Sequence, residues 1–234
     1  GQYEKESFLE GDPSWFMHQV SGTENQEAMA FVASCLSYGN RKQFMQKIQL
    51  ILDWSEGDID GWIRSGAFRK RMSPDDESCF YRLYTNKTMS RFLSVYSQLL
   101  REHNTLGEYV RKNATDGLEA VETICRYFNQ GDTCAVVPKD AKSACKRVCM
   151  FLRWMVRDNS PVDLGLWADF IDRRTLIIPM DTHVLQQSVR LGLLNSRTAT
   201  MSAAQRLSES LASVFPEDPM KGDFALFGYG VNNK

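Results

Sequence analysis

Residues 177–184 read Ile-Ile-Pro-Met-Asp-Thr-His-Val, and this stretch decides the fold prediction. Pro179 biases the residue before it towards extended backbone. Asp181 then stands where an N-cap is expected, ahead of a helix that ends at Gly192. The Asp181 carboxylate can therefore simply cap that helix, or it can stand at the positive end of the helix and face outward into a cleft.

Helical periodicity also dominates the rest of the chain. Apolar residues recur at helical spacing in segments that start near Met29, Phe44, Phe92, Ala120, Cys145 and Ala204. Short turn sequences separate these segments, and the candidate strands at 136–137 and 176–178 are too brief for a sheet. The pattern predicts an all-α chain that folds as one compact unit over 1–234 and can divide into helical lobes at 24–136 and 137–234.

Composition excludes several classes of protein. The chain has 234 residues, of which 43% are hydrophobic and 11% aromatic, and this is typical of a globular protein and not of a disordered one. No apolar run approaches about 18 residues, so we expect no membrane span. A signal-peptide pattern is missing, and six scattered Cys without a CxxC pair favour a reducing compartment. We therefore expect a cytoplasmic monomer with no membrane partner, no metal and no cofactor.

The charge of the chain is nearly balanced, with a single basic segment. A net charge of −1 gives no overall attraction for nucleic acid, so such a site must be a local patch. Residues 139–157 contain six Lys or Arg and one Asp, and a helix is predicted over 142–157. One flank of that helix carries Lys142, Lys146, Arg153 and Arg157. This basic flank suits a phosphate backbone, or it is only a solvated helix face.

Several segments resemble a known superfamily. Residues 181–184 and 190–193 resemble the DTHV…RLGL segment of the helix-hairpin-helix DNA glycosylases, which include endonuclease III and the adenine-mismatch glycosylases. Residues 204–216 and 224–228 are similar to the helix and the ALIxFG segment that follow there, and residues 35–40 to the LLSxQT helix end. The whole chain also resembles a bacterial family known only for a domain of unknown function. The resemblance implies a two-lobed, all-α, glycosylase-like fold with damaged DNA as the partner.

The same resemblance implies the catalytic residues. The Asp that heads the matching helix is the catalytic carboxylate of the glycosylases, which implies this role for Asp181. In the bifunctional members, a Lys at the start of the helix after the hairpin is the nucleophile; Lys146 is the best positional match and Lys142 the second. The chain would then act in base-excision repair as a glycosylase, with AP-lyase activity if Lys146 attacks the sugar, on a damaged base such as 8-oxoguanine.

The chain departs from the superfamily in three respects. The LPGxGxKTA hairpin is replaced by residues 137–143, which contain no Gly, and this puts in doubt the close approach of backbone amides to a phosphate. The interval from Lys146 to Asp181 is longer than in endonuclease III. The archaeal 8-oxoguanine glycosylases share an atypical hairpin and a longer interval, and they are the closest catalytic analogue. The four-Cys loop is missing, so no iron–sulfur cluster is expected.

Other residues are candidates for contact with nucleic acid. A flipped base needs a pocket between apolar or aromatic side chains, and the candidates for its walls are Phe151, Trp154 and Trp167. Each of these is also a typical core residue. A helix-ending loop that can insert into the gap left by the base, or that is only a Gly-Asn helix break, contains Tyr38, Asn40 and Arg41. Tyr81 and Arg82 fit either a contact with nucleic acid or an aromatic core segment with one exposed Arg.

Two other functions are compatible with the sequence. The Gly-free hairpin and the near-neutral charge favour a non-catalytic nucleic-acid-binding module with a glycosylase-like fold. An all-α interaction protein without a nucleic-acid partner is the third hypothesis. Only the glycosylase hypothesis predicts that the Lys146 ammonium and the Asp181 carboxylate face each other across a cleft.

Overall fold

The chain is mostly helical, as the periodicity predicts. The structure, a computed structural model, describes residues 4–130 and 135–232, and side chains as far as residue 226. Its α-helices are α1 (Thr23–Leu36), α2 (Arg41–Ser55), α3 (Ile59–Arg64), α4 (Asn86–His103), α5 (Leu106–Asn113), α6 (Gly117–Phe128), α7 (Lys146–Val156), α8 (Thr182–Arg190), α9 (Met201–Ala212) and α10 (Lys221–Asn232). Short 3-10 helices cover Glu6–Leu9, Pro13–His18, Ala67–Lys70 and Arg173–Thr175. None of the helices described is both long and apolar enough to cross a membrane.

A small β-hairpin interrupts the helices. Strand β1 (Cys79–Tyr81) pairs antiparallel with β2 (Tyr84–Thr85), and Arg82 and Leu83 form the two-residue turn between them. The sequence analysis did not predict this hairpin, because its turn lacks the Asn-Gly or Gly residues that usually mark such turns. The candidate strands at 136–137 and 176–178 are irregular segments in the structure.

The chain divides into two compact units. The first, called here the C-terminal unit, contains Gly1–Glu10, Ala114–Glu122 and Asp140–Lys234. The second, the central unit, contains Gly11–Asn113 and Thr123–Lys139. The chain start therefore joins a unit whose remainder lies mostly beyond residue 139, an association that helical periodicity does not predict.

Aromatic side chains form the core of the central unit. The Phe31 ring of α1 lies 5.0 Å from the Phe128 ring, 5.2 Å from the Tyr96 ring and 5.9 Å from the Phe92 ring. Each of these four residues is at most 1% exposed. Aromatic packing of this kind adds to the free energy of area burial, so the cluster stabilises α1, α4 and the end of α6 together.

The C-terminal unit is built around α7, in which every residue from Val148 to Val156 is buried. Two carbonyl groups in its last turn receive donors from the following loop. Leu164 N donates to Trp154 O at 2.7 Å, and Trp167 N donates to Met155 O at 2.7 Å. These bonds satisfy carbonyls that the helix leaves unpaired at its end, and they hold the loop against α7.

The start of α7 is positioned by a distant segment. Ser143 forms an antiparallel bridge with Thr200, Ala144 N donates to Ala199 O at 3.1 Å, and Met201 N donates to Lys142 O at 3.1 Å. The segment that leads into α7 is therefore paired with the segment that leads into α9. Helix α8 packs separately against α10.

Candidate active site

Asp181 is the N-cap of α8, which confirms the local prediction. Its Oδ1 accepts a hydrogen bond from Val184 N at 2.8 Å, while its backbone is extended. The side chain is half-buried, and no donor among the residues described reaches its Oδ2. One carboxylate oxygen therefore caps the helix and the other remains available to a ligand at the positive helix end.

Lys146 is the first residue of α7, so the helix begins four residues later than predicted. Residues 142–144 pair with 199–201 and cannot join the helix. The N-cap is Cys145, with φ 44° and ψ 38°, a left-handed conformation that is costly for a residue other than Gly and that occurs preferentially at functional sites. Lys146 is half-buried and forms no ion pair within 4.0 Å among the residues described.

Asp223, in the first turn of α10, links the two candidate catalytic residues. Its carboxylate is buried and accepts from Arg153 Nη1 at 2.5 Å. Burial raises the pKa of Asp223, and the negative charge of Asp181 raises it further. The positive charges of Arg153 and Lys146 lower this pKa. Asp223 therefore lies in a helix that packs against α8, which Asp181 caps, and it pairs with an Arg of α7, which Lys146 begins. No motif in the sequence points to Asp223.

The predicted basic flank does not exist as such, because Arg153 and Arg157 are buried. They are 6% and 2% exposed, so the prediction that they contact nucleic acid is wrong. Of the other two members of the flank, the Lys142 side chain is 90% exposed with its Nζ 3.8 Å from Asp140 Oδ2, and Lys146 is half-buried. Only the N-terminal part of the segment can present positive charge to a ligand.

The two buried Arg residues hold a network of carboxylates. Arg157 donates to Asp218 from Nε at 3.0 Å and from Nη2 at 2.7 Å, an arrangement that suits the planar guanidinium. It also donates to Glu4 at 2.8 Å and to Asp163, whose Oδ1 lies 3.3 Å from Arg153 Nε. Burial raises the pKa of Asp163, although both Arg residues lower it. The network joins the chain start, α7 and the segment before α10.

The predicted walls of a base pocket are core residues. Phe151 and Trp154 are 0% exposed and Trp167 is 2% exposed. The Phe151 and Trp167 rings pack edge to face at 5.2 Å, and Trp154 Nε1 has no hydrogen-bond partner among the residues described. In this structure Phe151, Trp154 and Trp167 are therefore core residues, which is the alternative that the sequence left open for each of them.

The helix-ending loop of the central unit contacts the hairpin. Tyr81 Oη donates to Tyr38 O, and the two rings lie 5.1 Å apart. Asn40 caps α2 by accepting from Gln43 N at 3.2 Å, and Arg41 Nη2 lies 3.4 Å from Asp12 Oδ2. Contact of Tyr38, Asn40 and Arg41 with nucleic acid stays a prediction.

The Cys residues described are free thiols, and none belongs to a metal site. Cys145 and Cys149 are buried, and burial raises the pKa of Cys149. In the described part of the chain, no group of three or more His, Cys, Asp or Glu could hold a metal ion. Cys134 lies outside the residues described. The Cys145 thiol donates to Asp140 O at 3.3 Å and the Cys149 thiol donates to Ala144 O at 3.5 Å.

Comparison with known proteins identifies a family but no characterised relative. No curated protein and no solved structure matches the chain. One family model, described as "Protein of unknown function (DUF2400)", matches residues 12–232. Because this match covers nearly the whole sequence, the chain belongs to the DUF2400 family.

Proposed function

We propose that this protein is a DNA N-glycosylase that excises a damaged base, with Lys146 as the nucleophile and Asp181 as the catalytic carboxylate. One observation carries the proposal: Lys146 begins α7 and Asp181 caps α8, and α10 contacts both helices, since its Asp223 accepts from Arg153 of α7 and α10 packs against α8. The resemblance of residues 181–193 to the glycosylase segment supports the same assignment. The left-handed Cys145 directly before Lys146 adds a strained backbone of the kind found at functional sites.

The proposed chemistry uses each side chain for a separate task. Cleavage of the N-glycosidic bond builds positive charge on the sugar, which the Asp181 carboxylate stabilises. The neutral amine of Lys146 attacks C1′, the bond to the base breaks, and the base leaves with a proton. The C1′–O4′ bond then breaks and O4′ takes the second amine proton, which gives a Schiff base. The Schiff base allows loss of a C2′ proton and elimination of the 3′ phosphate. Asp181 can also accept the first proton that the attacking amine loses and pass it to the leaving base.

The test is borohydride trapping on duplexes that contain 8-oxoguanine, an oxidised pyrimidine, uracil or an abasic site. We expect a covalent complex with the natural protein and none with Lys146→Ala. Lys142→Ala is the matched control, because the exposed Lys142 side chain lies on the same segment outside α7. Asp181→Asn keeps a residue that can cap α8, so a loss of base release of at least about 100-fold would report chemistry and not unfolding.

Two results would contradict parts of the proposal. If Lys142→Ala abolishes trapping and Lys146→Ala does not, the nucleophile is wrongly assigned. If the natural protein neither forms a covalent complex nor releases any base, the protein is not a glycosylase for these lesions. Base release without trapping, lost in Asp181→Asn, would indicate a monofunctional enzyme that uses water.

A non-catalytic nucleic-acid-binding module is the second candidate function. The absence of Gly from residues 137–143 favours it, because backbone amides there approach a phosphate less closely. This function predicts binding to duplex DNA that Asp181→Asn leaves unchanged, with no base release from any substrate.

A further inference from the structure

We propose that one surface of the central unit, formed by Lys47, Trp54, Arg71 and Phe80, binds single-stranded nucleic acid. An unpaired base stacks on Trp54, and Arg71 and Lys47 contact neighbouring phosphates. The four residues are called here the cationic–aromatic surface. The inference goes beyond the proposed function, because the surface lies within the central unit alone and contains no residue assigned to the chemistry.

A cation lies at each end of a pair of aromatic rings on this surface. Lys47 Nζ lies 4.8 Å from the centre of the Phe80 ring, and Arg71 Cζ lies 5.8 Å from the centre of the Trp54 ring. The Trp54 and Phe80 rings lie 6.3 Å apart, so the four side chains form one connected group. Two of them come from α2, one comes from β1, and Arg71 directly follows the 3-10 helix Ala67–Lys70.

The positive charges of this surface are not neutralised within the described part of the chain. Neither Lys47 nor Arg71 has an acidic partner within 4.0 Å there, and the same holds for Lys70, which precedes Arg71 and is exposed. Contact with the rings holds the Lys47 and Arg71 cations in place without cancelling their charge. Fixed cations beside an aromatic ring suit a ligand that combines phosphates with flat bases.

Two acidic residues that follow Arg71 in the sequence have other partners. Asp76 accepts from Asn86 Nδ2 at 2.8 Å, and Glu77 Oε1 lies 2.6 Å from Lys87 Nζ. Both pairs lie at the start of α4. The fold therefore directs these nearby carboxylates away from Arg71, and its guanidinium is left for a ligand.

Trp54 provides the platform for a base. It is half-buried, whereas Phe80 beside it is 4% exposed and supports it from the interior. An unpaired base has a free π face that can stack on an aromatic side chain, whereas the faces of bases in a duplex are covered by their neighbours. The planar guanidinium of Arg71 suits the phosphate of the same strand. This combination favours a single strand over a duplex.

The test measures binding of the full chain to a labelled oligothymidylate, an oligouridylate and a duplex of equal length by fluorescence anisotropy at several salt concentrations. We expect Trp54→Leu to weaken binding to the single strands by about tenfold and to leave the dependence of log Kd on log salt unchanged, since the ring contributes stacking and no charge. Arg71→Gln and Lys47→Gln should each lower that slope by about 0.7, because each removes one phosphate contact.

Lys112→Gln is the matched control. Lys112 is an exposed cation of α5 in the same unit, and it has no acidic partner among the residues described, so its replacement should leave Kd within about twofold. Trp54→Phe keeps a ring and should bind the single strands within about threefold of the natural protein, which separates loss of stacking from a disturbed fold. For the duplex, Trp54→Leu should change Kd by less than about twofold, because stacked bases do not offer a free face to the indole.

Absence of binding to both single strands would overturn the inference, and so would an equal loss in Lys112→Gln. An equal loss for the duplex in Trp54→Leu, or displacement of the single strand by polyglutamate at the same concentration of charge, would also overturn it, because the surface would then recognise negative charge alone. A preference for either single strand supports the inference and identifies the sugar. Trapping by the Trp54→Leu protein at the natural level, without binding of any single strand, would overturn this inference and leave the proposed function.

Discussion

Replacement of Arg157 by Met is expected to destabilise the C-terminal unit strongly. The Arg157 side chain is 2% exposed and donates to Asp218, Asp163 and Glu4. Met retains the apolar stem of the side chain and removes every donor. The three carboxylates stay in the folded protein, so the substitution leaves buried negative charge without its partner.

The magnitude follows from what each carboxylate loses. Asp218 loses its ion-pair partner within the described chain, Asp163 keeps Arg153 at 3.3 Å, and the Glu4 side chain is 12% exposed near the chain start, where it can move towards water. Breaking a buried pair by removing one partner costs about 3–5 kcal/mol. We expect a decrease of about 4 kcal/mol in the free energy of unfolding. For a chain of this size, that corresponds to a decrease in Tm of roughly 8–16 °C.

Thermal and urea unfolding, followed by circular dichroism at pH 7.5 and pH 5, measure this loss. Burial raises the pKa of Asp163 in the folded state, and without Arg157 one of the two cations that lower this pKa is lost. The folded state then holds more protons between the unfolded and the folded pKa of Asp163, so the loss should be smaller at pH 5 than at pH 7.5. Arg174→Met, which breaks the exposed pair with Asp172 at 2.6 Å, is the control and should change stability little. A loss at pH 7.5 no larger than that of Arg174→Met would refute the reasoning.

Three further predictions concern single contacts. Glu27→Gln should lower the free energy of unfolding by about 1–3 kcal/mol in urea titrations. Both Glu27 oxygens accept from backbone N–H groups at the start of α5, at 2.8 and 3.0 Å, whereas an amide supplies only one acceptor oxygen. An unchanged urea midpoint would contradict this prediction. Gly165→Ala should lower Tm more than Gly192→Ala does. Both glycines have a positive φ, but of these two positions only Gly165 would place its Cβ against backbone, 2.8 Å from Asp158 Cα. Equal Tm values for the two variants would show that the backbone at Asp158 moves away without cost. Burial raises the pKa of Asp223, so the folded state holds this proton to a higher pH than the unfolded state does, and the free energy of unfolding declines as pH rises above the unfolded pKa of about 4. Asp223→Asn should remove that decline in urea titrations at increasing pH, and parallel curves of stability against pH for the two proteins would exclude this contribution.

The elements that the sequence predicts correctly are those that local interactions determine. The Asp181 cap of α8 depends on residues within four positions, and the structure contains it. The start of α7 was predicted at 142 because periodicity continues there, whereas the backbone of 142–144 pairs with a distant segment. The hairpin was not predicted because Arg82 and Leu83 are not turn residues.

The buried Arg residues show why the candidate site was predicted only in part. Helical spacing alone indicates that a charged residue is exposed, because it does not show which distant residues pair with the charge. The partners of Arg153 and Arg157 come from the chain start and from residues 163–223. The sequence of α7 nevertheless contains a sign that these two Arg residues are buried. Val148–Val156 is apolar on all sides except at Arg153, and a helix of that composition is normally buried throughout.

This division of the basic residues of α7 bears directly on the proposed chemistry. An amine nucleophile must be neutral, and a nearby carboxylate favours the charged form of an ammonium group. Asp223 of α10 is a buried carboxylate of the C-terminal unit, and it is bound by Arg153 of α7 at 2.5 Å. If Lys146 is the nucleophile, the buried network therefore does more than stabilise the fold. It supplies Asp223 with a different cation, so that this carboxylate need not pair with the attacking amine.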